Sequence, residues 1–206
     1  MIITLYIRML ISANLRKFGG CDLNPDSETK LVAAAQNGDL DSFGALYRRY
    51  YSAMAALAYS TLGDRDLADD AAQETFAVAC GKIGSLKSKE KFGAWLAGIC
   101  RNISRQMLRT NKIKPAIPIT EHSAASSQKD RDGGNRTAIN QAIRELEESE
   151  RELIVLRYYD NLPYERIAEV LDISVQAVNG RLIRTKRKIA KYLKQNGMTG
   201  EDYETS

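Results

Sequence analysis

Histidine and cysteine are scarce in this chain of 206 residues: one histidine, His122, and three cysteines, Cys21, Cys80 and Cys100. The cysteines are odd in number, widely spaced and form no CxxC pair. A zinc site, which draws on clustered Cys and His, and a disulfide framework are both disfavoured, and a reducing cytoplasm suits the chain best. No nucleophile clusters with a base, and no glycine-rich loop of the phosphate-cradling kind is present. The chain therefore reads as a non-enzyme with no cofactor and no metal. Long apolar runs are also missing. The opening stretch MIITLYIRMLISANLRK is interrupted by Arg8 and falls short of the ~20 apolar residues of a membrane span, so no stable membrane insertion is expected. Residues 1–23 are a weak signal-like segment, an amphipathic extension, or the product of a start codon placed too early. The last is preferred, because NPDSETKLVAAAQNGD reads as a natural domain start.

Acidic and basic side chains are both plentiful, and they are segregated. Net charge is only +4, yet Asp64, Asp66, Asp69, Asp70 and Glu74 crowd one stretch, and Glu145, Glu147, Glu148, Glu150 and Glu152 another. Cations gather in Arg101 to Lys114 and in Arg181 to Lys194. Such segregation points to partners of opposite electrostatic demand.

Strand signals are few, and helical periodicity recurs almost everywhere. The pattern predicts helices over 27–37, from Asp41 or Ser42 to Leu62, 66–83 and 92–111, with GSLKSKEKFG as a polar loop. The stretch from Lys112 to Arg136 has two prolines, paired glycines and mostly polar residues, which is linker composition. Helices are predicted again over 137–146, 149–159, 164–171 and 174–195. The expected fold is all-α: two small helical domains, 24–111 and 137–195, joined by a flexible linker, 112–136, with a tail, 196–206.

Two cationic helices carry most of the functional signal. LPYERIAEVLDISVQAVNGRL has the spacing of a helix-turn-helix, whose second helix enters the DNA major groove. Ser174 can cap that helix. Asp172 stands where the turn usually carries glycine, and aspartate tolerates left-handed backbone better than most residues. Along VQAVNGRLIRTKRKIAKYLK, Val178, Leu182, Ile189, Tyr192 and Leu193 share one face; Arg181, Arg184, Arg187, Lys188 and Lys191 share the other. Ser174, Gln176 and Asn179 lie near the helix start, where base edges are in reach, and the cations beyond them suit phosphate. The other basic helix is FGAWLAGICRNISRQMLRTNKIK. Phe92, Trp95, Leu96, Ile99, Ile103 and Met107 line one face, and Arg101, Arg105 and Arg109 recur every four residues on the other, with Asn102 beside them. A solvated face would include acids for i,i+4 pairing, and none occurs between Arg101 and Lys114. Lys87 and Lys89 in the preceding loop extend this surface, and the loop could hold an unstacked single-stranded base. DLADDAAQETFAVA is the opposite: Asp66, Asp69, Asp70, Gln73 and Glu74 form an acidic face that suits a cationic protein surface rather than DNA.

Taken together, these residues resemble an RNA polymerase sigma factor of the sigma-70 family, in its small extracytoplasmic-function (ECF) group. DLADDAAQETF resembles the region 2 helix that docks on the polymerase clamp helices. FGAWLAGICRNISRQMLR, with its Trp95-Leu96 and Arg101-Asn102 pairs, resembles the helix that reads the promoter −10 element. LEESERELIVLRYYDNLPYERIAEVLDISVQAVNGRLIRTKRKI resembles region 4, which binds the −35 element. The resemblance covers the chain from about Asn24 to Leu193. Gln106 stands where the group often has an acid, and QAVNGRL departs from its commoner run, so promoter preference is open.

The resemblance implies that Asp69, Asp70, Gln73, Glu74 and Phe76 bind core RNA polymerase. It implies that Lys87, Lys89, Arg101, Asn102, Arg105 and Arg109 grip the −10 element. Ser174, Gln176, Asn179, Arg181, Arg184, Arg187 and Lys188 would then contact the −35 duplex. An anti-sigma protein is a further partner implied by it. Two rivals stand beside this reading. A conventional helix-turn-helix regulator explains the second domain but not an acidic helix beside a cationic one in the first. A sigma-like decoy that only captures an anti-sigma protein would not need two cationic faces.

Overall fold

The computed structural model describes residues 25–110 and 139–196, and among them it contains helices and no strand. The expected 112–136 linker, the 1–23 extension and the tail from residue 197 lie outside the described residues.

The N-terminal half is built around one long helix. Helix α1, Pro25–Gln36, precedes helix α2, Leu40–Leu62, and helix α3, Arg65–Lys82. Two 3-10 turns, Ile83–Ser85 and Lys89–Lys91, lead into helix α4, Phe92–Thr110. Helix α2 spans about 34 Å at 1.5 Å per residue, and α1, α3 and α4 all pack on it. Its alanines at 53, 56 and 58 are at most 2% exposed, and such small residues let the neighbouring helices approach closely. Local chemistry sets the helix ends. Asp39 accepts from the Asp41 amide and the Ser42 hydroxyl ahead of α2, and Asp64 accepts from the Leu67 amide ahead of α3. Gly63 closes α2 with φ of 68°, its N–H donating to the Tyr59 carbonyl.

The C-terminal half is a compact helical unit. The chain is helical over 139–144 (α5), then forms helix α6, Glu148–Tyr158, helix α7, Tyr164–Leu171, and helix α8, Val175–Gln195. Glu147 and Glu150 close a capping box at the start of α6. Asp172 adopts the left-handed conformation between α7 and α8, with φ of 52° and ψ of 49°, in the role a glycine usually fills. The Ser174 hydroxyl then accepts from the Ala177 amide, 3.1 Å away, as the expected cap. Val178, Leu182, Thr185 and Leu193 are the buried side of α8.

The sequence expected two bodies on a tether; the structure has them docked. Helix α2 packs on α6 and α4 packs on α7, and one apolar cluster runs through both halves. The ring of Tyr59 stacks on that of Tyr159 at 4.6 Å, and Arg65 lies 5.6 Å over the other part of the same contact, the Tyr159 ring. This docking decides how the cationic faces are presented.

Candidate nucleic-acid interface

Helix α4 presents Arg101 and Arg105 to the other half of the molecule. Its fully buried side consists of Phe92, Leu96, Ala97 and Cys100, with Ser104 and Gly93 alongside. Trp95, Ile99, Ile103 and Met107, expected inside, are only half-buried. The inward face is thus rotated from the sequence expectation, and Arg101 turns towards α6. Its Nε donates to Oε1 of Glu152 at 2.7 Å and its Nη2 to Oε2 at 2.9 Å. Glu152 is buried, with 5% of its side chain exposed, and Arg101 retains 24%. One turn on, Arg105 donates Nε and Nη2 to Glu148, with a shortest contact of 2.9 Å, in a pair that is about half exposed. These carboxylates raise both guanidinium pKa values, chiefly through the hydrogen bonds.

The rest of this face is differently placed. Arg109 and Asn102 are exposed; Arg109 turns its Nε back to the Arg105 carbonyl, 3.3 Å away. Lys87 is exposed and Lys89 half-buried in the loop ahead of α4. That loop is more ordered than its polar composition implied. It forms the two 3-10 turns, and the Gln36 amide donates to the carbonyls of Ile83 at 3.0 Å and Leu86 at 2.8 Å. At its end, Lys91 pairs with Asp172 of the helix-turn-helix turn at 2.9 Å.

A buried polar cluster, absent from the sequence reading, joins the halves. Arg166 of α7 lies 4.3 Å over the Tyr50 ring, donates Nη2 to the Arg49 carbonyl at 3.1 Å and pairs with Glu169. Tyr50 donates its hydroxyl to Glu28 at 2.8 Å, and Arg49 pairs with the same carboxylate at 3.0 Å. Burial raises the Glu28 pKa, against the pull of the Tyr50 hydrogen bond and both arginines. Gly93 makes this packing feasible: a Cβ there would stand 2.8 Å from the Tyr50 ring and 2.9 Å from its hydroxyl.

A cavity of about 380 Å³ opens between the halves, lined by Arg48, Tyr51, Tyr59, Asp69, Tyr159 and Asp160, among others. Oδ2 of Asp160 is buried there without a hydrogen-bond partner. Burial pushes the Asp160 pKa up to about 6, with the Ser52 hydroxyl pulling the other way.

The second cationic face is open. Ser174, Gln176, Asn179, Arg181, Arg184 and Arg187 are all exposed along one side of α8. Lys188 is exposed too and pairs with Glu150 inside its own half.

Helix α3 carries the acidic face. Asp70 and Glu74 are exposed and Gln73 is half-buried. Asp69 is exposed as a residue and receives the Tyr51 hydroxyl at 3.3 Å; partial burial of its carboxylate raises its pKa. Phe76, grouped with this face in the sequence, needs correcting: it is 0% exposed. Its ring lies 4.6 Å from Tyr47 and edge-on to Phe43 at 6.4 Å. On a helix Phe76 lies about 20° round from Asp69 and about 120° from Asp70, so its burial puts it under the edge of the acidic face, which it supports without touching a partner.

The acid partners of Arg101 and Arg105 were missed in the sequence, although a signal existed. Glu148 and Glu152 repeat the four-residue spacing of Arg101 and Arg105, so two antiparallel helices can match them rung for rung. Helix α6 begins at Glu148, and the residue four positions before it is Arg144, so the acidic series does not extend to Arg109.

Two family models match the chain. The sigma-70 region 2 model matches residues 46–113, and the sigma-70 region 4 model matches residues 136–189. The ECF RNA polymerase sigma factor SigW of Bacillus subtilis is 30% identical over 179 residues, covering 80% of this chain and 96% of SigW. RNA polymerase sigma-H factor of Pseudomonas aeruginosa is 27% identical over 185 residues, covering 83% of this chain and 96% of that protein. ECF sigma factor BldN of Streptomyces coelicolor is 28% identical over 171 residues, which is 80% of this chain but 65% of BldN. Among solved structures, CnrH in complex with the cytosolic domain of CnrY matches with a TM-score of 0.55 and 26% identity, over 84% of this chain and all of CnrH's. The chain belongs to the sigma-70 family of RNA polymerase sigma factors, in its ECF group. No described helix is long and apolar enough to cross a membrane.

Proposed function

We propose that this sigma factor binds core RNA polymerase and directs it to promoters through −10 and −35 contacts. One observation carries the reading: the region 2 and region 4 matches fall on separate helical halves, each bearing a cationic helix face. In this reading Asp69, Asp70, Gln73 and Glu74 present α3 to a cationic polymerase surface. Lys87, Lys89, Arg101, Asn102, Arg105 and Arg109 hold the −10 element and an extruded base. Unstacking that base costs a few kcal/mol, offset by contacts around it. Ser174, Gln176 and Asn179 read the −35 duplex in the major groove, and Arg181, Arg184, Arg187 and Lys188 position the helix on phosphates. The domain division follows the sequence: 24–111 and 137–195, with 112–136 as the linker. Tethering supplies effective concentration, so neither half needs high affinity alone. The work is cytoplasmic, where polymerase and promoter are found. A protein like the cytosolic domain seated on CnrH is the expected regulator.

The test is reconstituted transcription. Purified protein added to bacterial core polymerase on a promoter library should yield promoter-specific initiation. Absence of initiation together with absence of a complex with core would overturn the reading.

A further inference from the structure

We infer that the chain masks its own −10 face: the C-terminal half lays Glu148 and Glu152 on Arg105 and Arg101, while the −35 face on α8 stays open. The inference rests on the assignment of those two arginines to the −10 element.

The geometry of Arg101 makes the two states exclusive. Both oxygens of Glu152 take N–H groups from one edge of the guanidinium, at 2.7 and 2.9 Å, in the bidentate arrangement that also suits phosphate. The same N–H groups cannot serve a DNA phosphate at the same time. Arg105 is held in the same manner by Glu148. Lys91, between the loop and α4, is held by Asp172. All three acids come from the C-terminal half, so DNA must displace that half rather than reorient single side chains.

The docking is registered as well as held. Arg166, side chain 9% exposed, threads between Glu28, the Tyr50 ring and the Arg49 carbonyl, and cannot slide without leaving a buried charge unpaired. Buried ion networks of this kind fix geometry more than they add net stability, because desolvation offsets most of the Coulomb gain. The closed form is therefore specific yet can be opened by a partner that binds the halves apart. Helix α8 tells the opposite story. Ser174, Gln176, Asn179, Arg181, Arg184 and Arg187 remain exposed, and the ion pair of Lys188 is made within its own half. Closure thus occupies Arg101 and Arg105 of the −10 face, leaves Lys87, Asn102 and Arg109 of it exposed, and spares the −35 face.

A binding site that is competent in only a fraction f of molecules has its apparent affinity reduced by f. The experiment compares the full-length protein with its E148A/E152A variant at low salt. Two readouts are used: a fluorescent single-stranded −10 oligonucleotide and a −35 duplex. The variant should bind the −10 strand about tenfold more tightly, as for a closed population near nine-tenths, with −35 duplex binding unchanged and a larger radius of gyration by solution scattering. Because Glu152 is buried, E148K is the companion variant; it breaks only the half-exposed pair and should move −10 binding the same way by a smaller factor. Equal −10 binding by wild type and both variants, with −35 and core binding intact, would overturn the masking and leave the sigma assignment standing. Failure of all proteins to bind either DNA, with or without core, would overturn the assignment of the arginines and the masking with it.

Discussion

Arg101 and Arg105 sit one turn apart on the same helix, yet their environments differ enough to separate them by experiment. Arg101 faces a carboxylate whose side chain is 5% exposed, and Arg105 one that is 42% exposed. Removing one partner of a buried pair leaves an uncompensated charge and costs more than losing an exposed pair, which contributes roughly 0.2–1 kcal/mol. Arg101→Ala should therefore lower the urea unfolding midpoint clearly, and Arg105→Ala should leave it almost in place. Equal losses would mean that the exposure difference does not govern these pairs. Asp160 makes a pH prediction. Its folded pKa is raised to about 6 from an ordinary 3.8, so its protonated form favours the folded, docked state. That contribution is fully present below about 3.8, and is lost as pH rises through about 6. Arg48, Arg65 and Asp69 line the same cavity with Tyr51, Tyr59 and Tyr159, and the raised pKa values of Asp69 and Glu28 act in the same direction. Asp160→Asn should accordingly be more stable than wild type at pH 7, with the gap closing as pH falls through 6 towards 4. A gap independent of pH would show that the carboxyl is not the source.

At the scale of elements, the helices and their ends were legible. Apolar periodicity located each described helix to within about two residues, because a helix is a local pattern read at 3.6 residues per turn. Ser174 as cap and Asp172 as the left-handed turn residue follow from single-residue chemistry and appear as expected. GSLKSKEKFG shows where local reading stops. Its order comes from Gln36, whose amide holds two carbonyls 47 and 50 residues away in sequence, and no window of the chain displays that. The inward face of α4 was displaced for a similar reason. Ile99, Ile103 and Met107 are apolar enough to be core, but the side of α4 turned inward is the one that packs on α2, with Phe92 against the Tyr50 ring and Cys100 on the Met54 carbonyl. Gly93 belongs to this scale. A methyl group there would meet the Tyr50 ring at 2.8 Å, so Gly93→Ala must displace either α4 or Tyr50. A loss of about 1–3 kcal/mol is expected, the usual cost of overpacking, readable in a thermal melt together with a changed near-ultraviolet tyrosine signal. An unchanged melt would mean that Tyr50 yields without cost to its bonds with Glu28.

For the whole molecule, charge is arranged on three surfaces with three different fates. The α8 cations are open, Arg101 and Arg105 of α4 are paired with the chain's own acids, and the α3 acids face outward. Reversing Asp70 and Glu74 to Lys should weaken core polymerase binding while the −35 duplex still binds, because both residues are exposed and lie in the half opposite α8. Binding is read by co-migration with core and by duplex anisotropy. Equal loss of both activities would indicate misfolding rather than a docking face.

By itself the sequence determined that the chain is helical, that cationic stripes lie on two helices, and that an acidic helix precedes both in the chain. Each of these is a matter of residue type and spacing within one helix. Only the tertiary structure decided that Phe76 supports the acidic face from inside, and that Arg101 meets Glu152 across 51 residues of chain. The same holds for Arg166, whose partners lie in both halves. Such contacts depend on which faces of two separately formed bodies come together. The matching four-residue spacings of arginine and glutamate permitted that docking, but the choice was made by burial around Arg166, Tyr50 and Glu28, where a misplaced charge would cost several kcal/mol.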